Sequence, residues 1–267
     1  MCVLAHPDDE SLGMGGTLAR YGAEGVLTYL VTATRGERGR FGDNTNRPDD
    51  TTVGRTREKE LRQAAGKLGV HKLSFLDYID GDLSMADPQE AISKIVAHIR
   101  GDQPNIIVTF GPEGGYGHPD HIAISQFATA AIICAADENY KGVKGIEIPD
   151  EPHRVDKLYY MAWAEKKWAA YKAAFRDLKI TVDGVERRSS PVEDWLITTV
   201  IDTSKYWETV WEAVLCHKTQ LTIYSQLKDL PEQHHKAIWG VQEFYRVFSS
   251  VNGGRKKEND LFEGLRE

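Results

Sequence analysis

The sequence predicts an α/β fold: a Rossmann-like, doubly wound, mostly parallel sheet with helices on both faces. Three observations carry that prediction. Short runs rich in β-branched and aromatic residues, such as Val26–Ala33 (VLTYLVTA) and Asn105–Phe110 (NIIVTF), read as strands. Helical segments alternate with them, and strands joined through helices become parallel neighbours. The 267 residues are long enough for one large α/β domain.

Met1–Ala5 is a short apolar strand, followed by a helix over Leu12–Ala23 that Gly25 stops. Val26–Ala33 is the second strand. Residues 35–52 (RGERGRFGDNTNRPDDTT) lack apolar periodicity and form a long functional loop. A charged amphipathic helix over Val53–Leu68 closes at Gly69, Lys72–Leu76 is the third strand, and Pro88–Arg100 is a helix. Asn105–Phe110 is the fourth strand, and Ile122–Ala136 an apolar helix.

The remainder is less regular. Lys141–His153 is a connector, and Lys157–Ala162 and Trp195–Ile201 are strands around a helical or loop insertion. Residues 204–218 form a helix with Trp207, Val210, Trp211, Val214 and Leu215 on one face, which makes the two tryptophans core residues rather than a sugar platform. The tail from Gly253 is polar and frayed. Without repeats or a clear linker, residues 1–267 read as one domain with a variable insertion around 137–195.

A net charge of -7 argues against a nucleic-acid partner or an anionic membrane surface. No apolar run approaches the ~20 residues that span a bilayer. Met1-Cys2-Val3-Leu4-Ala5 runs straight into polar His6, so no signal peptide is expected. Cys2, Cys134 and Cys216 are too few and too scattered for a disulfide framework, and a cytoplasmic location follows as the expectation.

Two strings carry the chemistry: His6-Pro7-Asp8-Asp9 and His118-Pro119-Asp120-His121. In the commonest doubly wound order the first and fourth strands are neighbours, so both strings face one crevice at the carboxyl edge of the sheet. Proline sets a tight turn, whose ends lie within ~7 Å, so His6 and Asp9 can grip one ion. Asp8 projects differently and stays available to a water on that ion. A plainer reading has Asp8, Asp9 or Ser11 capping the next helix, but two adjacent acids exceed what a cap requires. Gly114-Gly115-Tyr116-Gly117 lets backbone approach a ligand closely, and His118 and His121, three apart, share a helix face. Asp120 suits a cap or the orientation of a histidine. Histidines and carboxylates in this number fit a hydrolytic metal site.

Taken together, Ala5-His6-Pro7-Asp8-Asp9-Glu10 and Gly117-His118-Pro119-Asp120-His121 resemble the paired signatures of the LmbE-like, or PIG-L, family of zinc-dependent N-acetylglucosaminyl deacetylases. Thr34-Arg35-Gly36-Glu37-Arg38-Gly39, Arg57-Glu58-Lys59-Glu60-Leu61, Asp80-Gly81-Asp82-Leu83 and His217-Lys218-Thr219-Gln220 extend the resemblance. It covers residues 2–136 and returns around 210–220. The resemblance implies His6, Asp9 and His121 as ligands of Zn2+, or of Fe2+ in the cell, and Asp8 as general base. It implies that His118 stabilises an oxyanion or protonates the leaving amine, that Asp120 orients a histidine, and that Arg57, Tyr116 and His217 meet the substrate. Only five residues precede His6, fewer than the family's usual first strand, so a truncated start is expected.

The implied partner is a small N-acetylated sugar conjugate, with room left for a homo-oligomer. An amidase of the same family acting on a larger amide, a non-catalytic metal- or sugar-binding relative and a two-metal phosphohydrolase are the competing readings. His71, His98, His153, His234 and His235 read as structural or surface residues. Arg35, Arg38, Arg40, Arg47 and Arg55 make the long loop locally basic, which suits either a solvated face or an anionic part of a substrate. Gly13, Gly15 and Gly16 lack the spacing of a dinucleotide fingerprint.

Overall fold

The computed structural model describes residues 1–175, 179–182, 184–188, 190–222, 225–254 and 256–266. The alternation expected from the sequence is present: β1 (Cys2–Leu4), α1 (Asp9–Ala23), β2 (Tyr29–Thr34), α2 (Asp50–Lys67), β3 (Lys72–Tyr78), α3 (Pro88–Asp102) and β4 (Ile106–Thr109). A distorted turn, α4 (Gly114–Gly117), leads into α5 (Pro119–Ala136). Then come β5 (Lys157–Ala162), α6 (Glu165–Phe175), the hairpin β6 (Lys179–Val182) and β7 (Val185–Arg188), and β8 (Thr199–Asp202). The chain closes with α7 (Trp207–Val214), α8 (Ser225–Lys228), α9 (Glu232–Trp239) and β9 (Val241–Ser249). The expected insertion, residues 137–195, includes positions 176–178, 183 and 189, which lie outside the described residues.

The main sheet runs β3-β2-β1-β4-β5-β9-β8. The first five strands are parallel, whereas β9 runs antiparallel to both β5 and β8. β1 is wholly buried, as an interior parallel strand should be. Val3, Leu4, Leu30, Ile107 and Leu158 form its core with Leu61, Ile95 and Ile124 from the flanking helices.

Several boundaries differ from the expectation, each for a local reason. Helix α1 begins at Asp9, not Leu12, because the chain turns at Asp8 with φ of 105°. Helix α2 begins at Asp50, since the Asp49 side chain accepts the Thr52 amide and shortens the loop to 35–49. His118 caps α5 in the same way, through the Asp120 amide, with Pro119 at the first helical position. The strand expected over 195–201 is confined to Thr199–Asp202, and Trp195 is 77% exposed. Helix α7 spans only eight residues of the expected 204–218. The expected frayed tail is docked: Glu258 is buried and bridges to Thr199, and Leu261 joins the core. Among the described residues, no helix is long and apolar enough to cross a membrane.

Candidate metal centre

Adjacent parallel strands β1 and β4 release their loops at the same edge of the sheet. This brings together residues 115 apart: His6 Nδ1 lies 3.2 Å from His121 Nε2. Asp9, in the first turn of α1, faces both rings through different oxygens, Oδ2 at 3.8 Å from His6 Nδ1 and Oδ1 at 3.5 Å from His121 Nε2. Its carboxylate is fixed by the amides of Ala5 and His6, at 3.2 and 2.8 Å. Burial pushes the Asp9 carboxyl up to about 7, against the pull of His6.

Single ligand atoms of His6, His118 and His121 lie within 4.8 Å of one another, as do those of His6, Asp80 and Asp120, and the two ring nitrogens 3.2 Å apart are close to the spacing one ion requires. Bonds of about 2.0–2.2 Å to a tetrahedral Zn2+ put ligand atoms roughly 3.3–3.6 Å apart. Asp8, Asp9, Asp80 and Asp120 converge here around Arg57 and the histidines, a donor set of the kind that accepts a divalent cation.

The other ring nitrogen of His6 is held from behind. Nε2 lies 3.1 Å from both Asp120 Oδ2 and Asp80 Oδ1. Asp120 is fully buried and also accepts the Gly81 amide at 2.7 Å. Carboxylates in that position fix which nitrogen faces a metal and raise its basicity. Burial disfavours the His6 imidazolium, but the bonds to Asp120 and Asp80 outweigh it and hold its pKa well above the ordinary value. Burial also opposes ionisation of Asp80, yet His6 and Arg57 bring it down to about 2.

His118 stands beside this group, its ring stacked on His121 with centroids 4.8 Å apart. Its Nδ1 accepts the Asp120 amide at 3.1 Å, which leaves the proton of the neutral ring on Nε2. Burial, then the neighbouring His6, lowers its pKa to about 4. Phe110 stacks on His121 with centroids 3.9 Å apart, and Tyr116 meets both histidine rings edge-on.

Asp8 is held at its carboxylate by Arg57, at 3.3 Å. Arg57 is only 4% exposed and donates also to the carbonyls of Pro7 and Gly36, at 2.6 and 3.0 Å. A Cβ at Gly36 or Gly39 would lie 2.1 or 2.2 Å from the guanidinium, so only glycine lets that loop close over it. Arg57 thus frames Asp8 and also lines the cavity. His217, expected to meet the substrate, is instead fully buried, bonded to Glu10 at 2.8 Å, and is not among the residues lining the cavity.

The cavity above the cluster holds about 340 Å³. Its lining includes polar residues, among them Asp8, Arg57, Asp80, Arg40 and Gln220, and apolar ones, Leu12, Trp163, Trp168 and Tyr171. Arg40 is the member of the basic loop that lines it, whereas Arg35, Arg38 and Arg47 are engaged by Glu58, Asp82 and Asp50. Arg55 is exposed on α2. Trp207 and Trp211 pack around His235 rather than facing the cavity. None of His71, His98, His153 and His234 lines it.

Sequence reasoning gave no role to Asp80, Glu10 or Gln220, although each lies within a quoted motif. It had no signal for Trp163, Trp168 and Tyr171, which α6 and the end of β5 bring in from a region without motifs.

Fold and site define a class: doubly wound α/β proteins with a histidine–carboxylate metal centre at the switch point. Residues 1–132 match the family described as PIG-L: GlcNAc-PI de-N-acetylase. A Thermobifida fusca protein named 1D-myo-inositol 2-acetamido-2-deoxy-alpha-D-glucopyranoside deacetylase is 34% identical over 98% of this chain and 98% of its own. The chain belongs to the PIG-L (LmbE-like) family. N,N'-diacetylchitobiose deacetylase from Pyrococcus horikoshii shares the fold at a TM-score of 0.66 and 18% identity, over 92% of this chain and 83% of that one. A 4-carboxy-2-hydroxymuconate hydratase from Pseudomonas putida shares it at 0.65 and 20% identity, over 95% and 98%. One fold serves a deacetylase and a hydratase, so the fold alone does not choose the reaction.

Proposed function

We propose that this chain is a Zn2+-dependent hydrolase that removes the acetyl group from a small N-acetylglucosamine conjugate, of the glucosaminyl-inositol kind for which its relative is named. Acetate and a free amine are the products. The observation that carries this reading is the meeting of His6, His121 and Asp9 at the cavity: the two ring nitrogens lie 3.2 Å apart, with Asp9 Oδ1 3.5 Å from His121 and Asp9 Oδ2 3.8 Å from His6. In this reading those three residues hold the metal, and Asp120 and Asp80 orient His6 behind it. The bound ion supplies a Lewis acid that polarises the amide carbonyl and lowers the pKa of a water.

Asp8, aimed by Arg57, takes the proton of the attacking water as general base. His118 presents its Nε2–H to the oxygen that gains charge, because its Nδ1 is engaged by the Asp120 amide. The carboxyl of Asp8 then returns the proton to the departing amine. Tyr116 closes over the histidines, while Arg40, Gln220, Trp163 and Trp168 are the residues left to meet the sugar and its substituent. We place the enzyme in the cytoplasm, a reading supported by three free thiols, Cys2, Cys134 and Cys216.

The aromatic lining of the cavity favours one second reading, an amidase for larger acyl groups. The test is primary-amine release from N-acetylglucosamine conjugates and longer-acyl analogues, with protein as prepared, chelated, and reloaded with Zn2+ or Fe2+. Metal-restored release from the acetyl compounds is the expected result. Release confined to the longer acyl groups selects the amidase, and no release from metal-loaded protein overturns both.

A further inference from the structure

Glu10 and His217 have no part in the chemistry proposed above, yet both are buried, at 1% and 0% exposure. Glu10 Oε2 accepts the backbone amide of Asp8 at 2.9 Å. Its Oε1 accepts Ser11 Oγ at 2.5 Å and meets His217 Nε2 at 2.8 Å. One carboxylate therefore joins the turn at Asp8 to a histidine 207 residues away.

That turn needs holding. Asp8 has φ of 105°, a conformation that residues with a side chain rarely adopt and that persists only where the surroundings impose it. The segment after α7 braces both of its supports. His217 holds Glu10, which holds the Asp8 amide. Two residues on, Thr219 donates its amide and hydroxyl to Glu60 at 2.9 and 2.7 Å, and Glu60 lies one helical turn beyond Arg57, which holds the Asp8 carboxylate.

We propose that Glu10 and His217 are positioning residues for Asp8, a buried relay that sets the backbone of the general base and so the aim of its carboxylate. The proposal rests on the reading of Asp8 as that base. Both carboxylate oxygens of Glu10 are in use as acceptors, so glutamine, with one acceptor oxygen, cannot satisfy the Asp8 amide and the Ser11–His217 pair together.

The test compares Glu10→Gln, His217→Leu, His217→Gln and Asp8→Asn in the full-length chain, measuring kcat, KM, bound metal and thermal midpoint. Glu10→Gln and His217→Leu are expected to lower kcat about 10-fold or more per bound metal, with KM within about 2-fold, because small misplacements of a reacting group are costly. His217→Gln, which keeps an N–H donor for Glu10, recovers most of that loss. If Glu10→Gln fails to fold, the two His217 variants still decide. Unchanged kcat per metal, a loss that tracks metal or folded protein, or equal losses in His217→Leu and His217→Gln overturns the relay. An active Asp8→Asn instead removes the base reading beneath it.

Discussion

Around Glu258 each carboxylate oxygen is filled, whereas around His6 some buried polar atoms are not. Lys157, Arg246 and Asn252 reach Glu258 Oε1 at 2.8, 2.8 and 2.7 Å, and the hydroxyls of Tyr159 and Thr199 reach Oε2 at 2.8 and 2.7 Å. At the carboxyl edge of the sheet, Asp120 Oδ1 and Arg57 Nε have no hydrogen-bond partner among the described residues. A closed network of charges stabilises and specifies the fold; an open one costs stability and is characteristic of functional sites. The first cluster ties the C-terminal tail to β5, β8 and β9, and the second is where substrate and metal would go.

Asp8→Asn should lower kcat about 10²–10⁴-fold, or about 2.7–5.5 kcal/mol, while the metal is retained. Asp9→Ala should instead lose the metal itself. Steady-state rates with metal analysis separate the two, and full activity in Asp8→Asn or unchanged metal in Asp9→Ala removes that residue from its role.

Glu258→Ala tests the closed cluster. It strands Lys157 and Arg246 and should cost about 3–5 kcal/mol in chemical denaturation, with kcat per folded molecule unchanged. Burial would raise the Glu258 carboxyl, but its bonds to Lys157, Asn252 and Thr199 bring it from 4.5 to about 2. Its contribution is therefore complete above pH 4.5 and is lost as pH falls towards 2. Glu258→Gln should flatten the stability profile across that window, and an unchanged acid limb would show that the cluster does not hold the fold.

The open cluster should respond to metal. Zn2+ at 100 times its dissociation constant should add about 2.7 kcal/mol by mass action, raising the thermal midpoint of chelated protein but not of Asp9→Ala. An equal rise in Asp9→Ala would place the binding elsewhere.

The site was legible where its chemistry is local. His6 and Asp9 lie in one turn and His121 begins one helix, so a short string suffices, and strand alternation alone brings the two strings to one edge. Apolar periodicity marks the starts of α1, α2 and α5 too late, because it begins after the caps at Asp8, Asp49 and His118 have already turned the chain. Strand β9 escaped notice because an inward position carries Gln242, whose amide bonds Thr17 and Gly13 and blurs the apolar alternation. Asp80 reads as one more acid in a turn until the fold sets it 3.1 Å from His6. The aromatic lining depends on how α6 lies over the cavity, which periodicity does not encode.

The smallest effect should come from Arg40, which lines the cavity as Arg57 does. Arg57 is buried and committed to Pro7, Gly36 and Asp8, whereas Arg40 is exposed at the cavity and anchored through its carbonyl to Gln220 at 2.7 Å. A buried arginine holding a reacting carboxylate acts on kcat; an exposed one at the rim acts on encounter and binding, and salt screens it. Arg40→Ala should leave stability and kcat unchanged and raise KM by about 10-fold or less for a substrate with an anionic substituent, the difference fading at high salt. For a neutral conjugate KM should stay the same. A fall in kcat would move Arg40 into the machinery beside Arg57, and equal KM changes for both substrates would show that the rim does not read charge.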